Sequence, residues 1–424
     1  MTGILFGSLV VLLLLGAPIA IALGLSAVVV YFFMDAPLLL IPQRMFGGLD
    51  AFPLVAAPFF VLAGNIMAGG GISRRIVNLA LVIAGRIPGA LSVASIVSGM
   101  FFAAISGSGA ASTAALGSIM IPEMVERKYD KDFSSVVQAM AGSLGIVIPP
   151  SVPLILYGIG CGTSVGALFI AGILPGIVSG LGLIIVAIII SKKKGYIDKL
   201  EKMALKQKLR IILEAIPAIL MPVIILGGIY SGYFTPTEAS CVAVVYGFIV
   251  SIVIYREITV KKLRDILTSS VITSAIVLFI IGTAANFASI LIREGIPTTM
   301  ANFIMGITDN PYLFLLVINV FLLIIGTFME TAAAIIILTP ILAPIAVQLG
   351  VDPVHFGVIM IMNLAIGLCT PPVGINLYVA SNIAKTKIDN MMKWLWPFLG
   401  VSIAALLLVT YIPQISLFLV KFLN

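Results

Sequence analysis

Long apolar runs alternate with short clusters of charge, glycine or proline along this 424-residue chain. Runs of roughly 20 apolar residues match what an α-helix needs to cross a ~30 Å hydrocarbon core. The period-2 alternation of an outer-membrane barrel is missing, and open sheet edges do not survive in lipid. The pattern therefore predicts an all-α polytopic membrane protein. In the first half it predicts a helix over 4–33, an interfacial segment over 36–51 with Arg44 and Asp50, and a helix over 52–69 closed by "GGGISRR". An amphipathic piece to about residue 86 follows, then an apolar stretch 89–122 interrupted at "SGSG" (106–109), a helix 133–158 broken at Pro149-Pro150, and a span over 165–190. The second half begins with an extra helix, 211–232. It continues with 237–255, 266–292, an interrupted stretch 311–347, a broken helix 355–380, and 397–420.

Composition agrees. Hydrophobic residues make up 61% and charged residues 10%, against about 25% charged in soluble domains. The first 33 residues lack a basic leader and exceed a signal-peptide core, so they are expected to stay as the first helix. The net charge of +7 has one main source, "SKKKGYIDKLEKMALKQKLR" (191–210), with eight basic residues and two acidic ones. Lying between spans, it reads as a cytoplasmic linker under the positive-inside rule, not as a nucleic-acid surface. Cys161, Cys241 and Cys369 show no metal-ligand spacing. The single histidine, His355, reads as a loop or helix-end residue in a polar turn.

An internal repeat is visible. A shift of 222 places Pro122 on Pro344, Asp130 on Asp352, Gly145 on Gly367, Pro149 on Pro371 and Pro150 on Pro372. Matched Gly, Pro and Asp at one offset are not produced by apolar composition alone. The organisation is then a first repeat 1–190 (hairpin 89–122, broken helix 133–158), the linker 191–210, an extra helix within 211–236, and a second repeat 237–424 (hairpin 311–347, broken helix 355–380). Two helices separate the linker from the second basic segment, "REITVKKLR" (256–264), so both segments can be cytoplasmic. The repeats then enter from opposite faces, the inverted-repeat arrangement of secondary transporters.

A straight helix over 89–122 would rise about 51 Å, more than the core requires. Two arms meeting at Ser106-Gly107-Ser108-Gly109 fit better, as a re-entrant hairpin; the alternative is a kinked span with small contact residues. Its counterpart under the shift carries Glu330, the only charge between Pro311 and Val351. Glu330 either faces a functional cavity or caps the second arm of its hairpin, and one residue can do both. The double prolines remove N–H donors and disfavour helix before them, freeing carbonyls. In lipid such carbonyls need partners. Either neighbouring helices supply them, or the breaks bind a dehydrated cation such as Na⁺. Half-helix N-termini nearby favour an anionic substrate, with Ser108, Ser112, Thr331 and Asn376 as neutral donors.

"FFAAISGSGAASTAALGSIMIPEM", "GIVIPPSVPLILYG", "GGIYSGYFTPTEASCVAVVYGFIV", "FMETAAAIIILTPILAPIA" and "GLCTPPVGINLYVA" together resemble the large membrane subunit of TRAP transporters, the tripartite ATP-independent periplasmic transporters of bacteria. The resemblance covers essentially the whole chain. It implies an elevator-type inverted-repeat fold in the bacterial inner membrane, Na⁺ as coupling ion, a small four-helix membrane subunit, and a periplasmic binding protein. Carboxylates such as C4-dicarboxylates, sialic acid or other sugar acids are the implied substrates. The implied ion sites fall on Ser106, Gly145, Ile148 and Pro149, and on Gly326, Gly367, Thr370 and Val373. The chain starts at its first helix, so the small subunit is expected to be a separate polypeptide. Glu330 stands where many relatives have Asp.

Other readings find less support. An intramembrane serine or aspartyl protease lacks a Ser–base pair or paired intramembrane Asp, and ATP coupling lacks a Walker loop. A carrier of similar architecture that needs no binding protein stays open, and is separated by omitting that protein from a transport assay.

Overall fold

The computed structural model describes residues 1–85, 87–196, 204–296, 298–299, 302 and 310–422. Among these there is no strand, and eight helical segments are long and apolar enough to cross a membrane. The first half contains α1 (Thr2–Leu14), α2 (Ile19–Phe33), α3 (Leu40–Leu49), α4 (Ala56–Gly69), α5 (Ile72–Ala84), α6 (Ala90–Ser106), α7 (Gly109–Glu126), α8 (Lys131–Ser143), α9 (Val152–Cys161) and α10 (Val165–Lys194). The second contains α11 (Leu205–Tyr230), α12 (Pro236–Phe248), α13 (Val260–Arg293), α14 (Pro311–Phe328), α15 (Thr331–Gln348), α16 (Pro353–Gly367), α17 (Ile375–Ala384), α18 (Ile388–Tyr411) and the short α19 (Gln414–Leu417). Residues 197–203 of the basic linker, and Arg86 after the amphipathic α5, lie outside the described residues.

One expectation fails outright. The run 4–33 is not one helix. Gly16 adopts φ 80°, Pro18 is the N-cap of α2, and α1 and α2 pack against each other as a hairpin. Glycine permits the left-handed turn, and proline cannot continue α1 because it has no N–H. His355 is a helix-end residue as expected, but buried and not in a polar turn. It lies at the start of α16, with Nδ1 2.7 Å from Ser416 Oγ and Nε2 3.2 Å from the Thr410 carbonyl.

Capping explains where the paired elements begin. Asp130 accepts from the N–H groups of Asp132 and Phe133 at 2.8 and 3.1 Å, opening α8. Asp352 does the same for Val354 and His355 at 2.8 and 3.1 Å, opening α16. The two aspartates are the pair matched by the 222-residue shift. Each satisfies two of the four orphan donors of a helix start.

Packing crosses between the halves. The distal arm of the first broken helix, α9, lies on α15, while the distal arm of the second, α17, lies on α7 and α8. In a second group α2, α3 and α4 pack on the long α13, while α1 packs on α2, α12 on α4 and α11 on α12. On α14, Leu313, Leu316, Val317, Val320, Ile324 and Phe328 are exposed at helical spacing, the stripe expected of a lipid-facing side.

Candidate functional site

At the first break, Pro149 has no N–H for the Gly145 carbonyl and Pro150 has none for Ile146. Ser151 Oγ substitutes, donating to the Ile146 carbonyl at 2.6 Å. The N–H groups of Val147 and Ile148 both go to the Leu144 carbonyl, at 3.1 and 3.0 Å. Among the described residues no donor reaches the Gly145 carbonyl.

The turn between α6 and α7 sits on this break. Gly107 takes φ 61°, and a Cβ there would lie 3.2 Å from the Pro150 carbonyl oxygen. Ser108 caps α7, with Oγ accepting from the Ala111 N–H at 3.4 Å. Its own carbonyl accepts from Ser112 Oγ at 2.7 Å and from Ser106 Oγ at 3.3 Å. A Cβ at Gly145 would lie 2.7 Å from both the Ser108 carbonyl oxygen and Ser112 Oγ, so only glycine allows this approach. The structure thus brings Ser106, Ser108, Ser112, Gly145 and the Pro149-Pro150 turn together. Ile148 and Pro149 turn their side chains toward α10, against Gly176 and Gly172.

The second break is built alike but more open. A Cβ at Gly367 would lie 2.5 Å from the Cα and C of Gly326 and 2.6 Å from its O, so α14 and α16 touch backbone to backbone. Carbonyls deprived of donors by Pro371 and Pro372 find others: Gly367 from the Thr370 N–H at 2.9 Å, Leu368 from the Asn376 N–H at 3.0 Å. Thr370 Oγ1 donates to the Ile366 carbonyl at 2.8 Å, leaving its lone pairs free. Glu330 caps α15, Oε2 accepting from the Ala333 N–H at 3.1 Å, and its side chain is exposed. The cap is realised there. Val373 is 47% exposed on the loop after Pro372, while Thr331 is buried as the first residue of α15. Both breaks contain a cis Pro-Pro bond.

Asn376 ties the two breaks together. Fully buried, it donates from Nδ2 to the Ala139 carbonyl of α8 at 3.2 Å and flanks Gly109 at the start of α7. Its Oδ1 has no partner. A buried acceptor left unmet costs about 1–3 kcal/mol unless something binds it.

Sequence reasoning missed three further residues. Gly64 of α4 backs the first turn, where a Cβ would lie 3.2 Å from the Cα and O of Ser106. Gln138 is buried, accepts from Ser95 Oγ at 2.6 Å, and leaves Nε2 unpaired. Asn363 donates to Asn319 Oδ1 at 2.8 Å and leaves its own Oδ1 unpaired. Amides inside apolar helices were the available signal. Among the described residues no three His, Cys, Asp or Glu side chains gather as a metal site. The donors at both breaks are carbonyls, hydroxyls and an amide.

Comparison with known proteins identifies the lineage. Residues 6–415 match the family described as Tripartite ATP-independent periplasmic transporter, DctM component. The isethionate TRAP transporter permease protein DctMQ of Oleidesulfovibrio alaskensis is 46% identical over 98% of this chain, which spans 66% of that relative's length. The C4-dicarboxylate TRAP transporter large permease protein DctM of Rhodobacter capsulatus is 39% identical, covering 98% of this chain and 97% of the relative. The sialic acid large permease SiaM of Vibrio cholerae is 40% identical over 89% of this chain and 88% of its own. Among solved structures, the Alcanivorax borkumensis YdaH transporter shares the fold, with TM-score 0.66 at 12% identity over 87% of each chain. The chain belongs to the DctM component family of TRAP transporters, and is therefore a multi-pass transporter permease and not an enzyme.

Proposed function

We propose that this permease forms the pathway of a Na⁺-coupled importer of a small organic acid. The observation that carries the reading is the matched pair of breaks, each pressed against a helical turn through a glycine that tolerates no side chain. In this reading Na⁺ binds at Ser106, Gly145, Ile148 and Pro149, and at Gly326, Gly367, Thr370 and Val373. The unmet Gly145 carbonyl and the free lone pairs of Thr370 supply oxygens. The solute contacts Ser108, Ser112, Thr331 and Asn376, whose unpaired Oδ1 suits a hydroxyl or protonated donor. Glu330 holds its hairpin and borders the site.

The two turns then act as re-entrant hairpins in inverted repeats. The body α6–α10 with α14–α18 slides as an elevator against α1–α4 and α11–α13. The lysines ending α10 and the cations opening α13 support a cytoplasmic side for those ends. Family membership supports a small membrane subunit, a periplasmic binding protein and the bacterial inner membrane. The named substrates of the relatives, C4-dicarboxylate, sialic acid and isethionate, support an organic anion.

The test is reconstitution with the small subunit and binding protein. Solute accumulates in proteoliposomes when Na⁺ is higher outside; equal uptake with Na⁺ replaced by K⁺ refutes coupling. Unchanged uptake without the binding protein favours the partner-independent carrier.

A further inference from the structure

We propose that the crevice between α9, α13 and α15 is the outer vestibule of the pathway, closed toward the inner face by the apolar contact Ala20–Ile280–Ala333. The proposal rests on the transport reading above but names a space and a seal that the ion sites do not include. The crevice is a cavity of about 580 Å³ whose walls include Cys161, Ile292, Thr298, Thr339, Ala343 and Val347. Among the described residues no charged side chain lines it. Its polar groups are hydroxyls and the Gln348 amide, which hydrogen-bond a carboxylate or a sugar hydroxyl without trapping an anion. Weak contact of this kind suits passage.

Its side follows from the charges. Cys161 ends α9, and α10 then runs from Val165 to the lysines 192–194. Ile292 lies at the end of α13 opposite Lys261, Lys262 and Arg264. α10 carries its lysines away from the crevice, and α13 carries three of its four cations there, while Arg293 at the crevice end is followed at once by Glu294. The positive excess lies at the far ends, so the crevice opens on the outer face.

Following α15 and α13 inward, the character changes. Thr339 gives way to Ile336 and Ala333, and Ile292 to Ile280. Ala333, Ile280 and Ala20 of α2 form an apolar cluster separate from the main core, flanked by Ile19, Met329 and Ile336. Further along α13, Arg264, Asp265, Thr268, Ser269 and Thr273 share one face and line a second cavity of about 520 Å³. Polar space therefore lies on both sides of a small, dry contact. Two alanines and an isoleucine bury little area and make no directional bond. Such a contact opens at low cost and re-forms after sliding. It also joins the second hairpin turn to the α1–α2 turn, linking the seal to the body that carries the second break.

Cys161 is a native reporter. Cys369 is buried, and exposed Cys241 is replaced by serine. In oriented vesicles, a membrane-impermeant thiol reagent is expected to label Cys161 from the outer side, with labelling lost when the reagent is confined inside. Labelling from the inner side, from both sides, or from neither overturns the vestibule. Thr273→Cys, with Cys161 and Cys241 both serine, should label only from the inner side. Adding Ile280→Ala should let it label from both, and retained sidedness overturns the seal. Labelling requires neither Na⁺ nor partner proteins, so its failure is distinguishable from a failure of Na⁺-driven uptake.

Discussion

Replacing Gly367 by alanine puts a methyl group where the backbone of α14 already lies. The new Cβ would sit 2.5 Å from the Cα and C of Gly326 and 2.6 Å from its O. Ordinary carbon contacts are about 3.5–4.0 Å, so α14 and α16 must part by roughly 1 Å. No flexible side chain can absorb this, because the obstructing atoms are backbone. Overpacking of this kind costs about 1–3 kcal/mol. If the strain is relieved by opening the second ion site, Na⁺ affinity falls about 5- to 150-fold. The reciprocal change is gentler: a Cβ at Gly326 would meet the Gly367 Cα at 3.2 Å. Gly326→Ala should therefore shift Na⁺ affinity less than about fivefold. The assay is Na⁺ activation of uptake in proteoliposomes, with membrane insertion checked by size-exclusion profile. Unchanged Na⁺ activation in Gly367→Ala, or a larger effect from Gly326→Ala, refutes the reasoning.

Four further outcomes follow from the same geometry. Thr370→Ala removes the hydroxyl bonded to the Ile366 carbonyl at 2.8 Å; half-activation should move to higher Na⁺ with stability changed by only about 1 kcal/mol, and wild-type Na⁺ activation would count against Thr370 as a ligand. Pro372→Ala restores an N–H that can rejoin the helix ladder at Leu368, so transport should fall in a protein that still inserts; wild-type uptake would remove the argument from helix breaking. Asp130→Ala and Asp352→Ala each delete a cap, and each should cost about 1 kcal/mol in a reversible unfolding measurement, with Asn restoring most of it. Asn376→Leu should raise the solute KM while leaving Na⁺ activation unchanged, and the opposite pattern would move Asn376 from the solute to the ion site.

The spans and breaks were legible because their causes are local. Roughly 20 apolar residues force a helix in lipid, and Pro149-Pro150 and Pro371-Pro372 delete specific N–H groups whatever surrounds them. The caps Asp130 and Asp352 were visible as repeat partners, though not as caps. The α1–α2 turn was missed although "GAP" (16–18) marks it, because the length of the run outweighed one glycine and one proline. Contacts distant in sequence left no trace. Asn376 meets Ala139, Gly64 backs Ser106, and His355 finds Thr410 and Ser416 only once the bundle is assembled. The openness of the second break relative to the first was equally hidden, since the two motifs read alike.

The most direct measurement of the central claim is the melting temperature of the purified chain in NaCl against KCl at equal ionic strength. A ligand at 100 times its Kd stabilises by about 2.7 kcal/mol. Na⁺ at the two breaks should raise the melting temperature of the wild type, with part of the rise lost in Gly145→Ala and part in Gly367→Ala. Identical melting in Na⁺ and K⁺, or a Na⁺ effect retained in full by both variants, would contradict ion binding at the breaks.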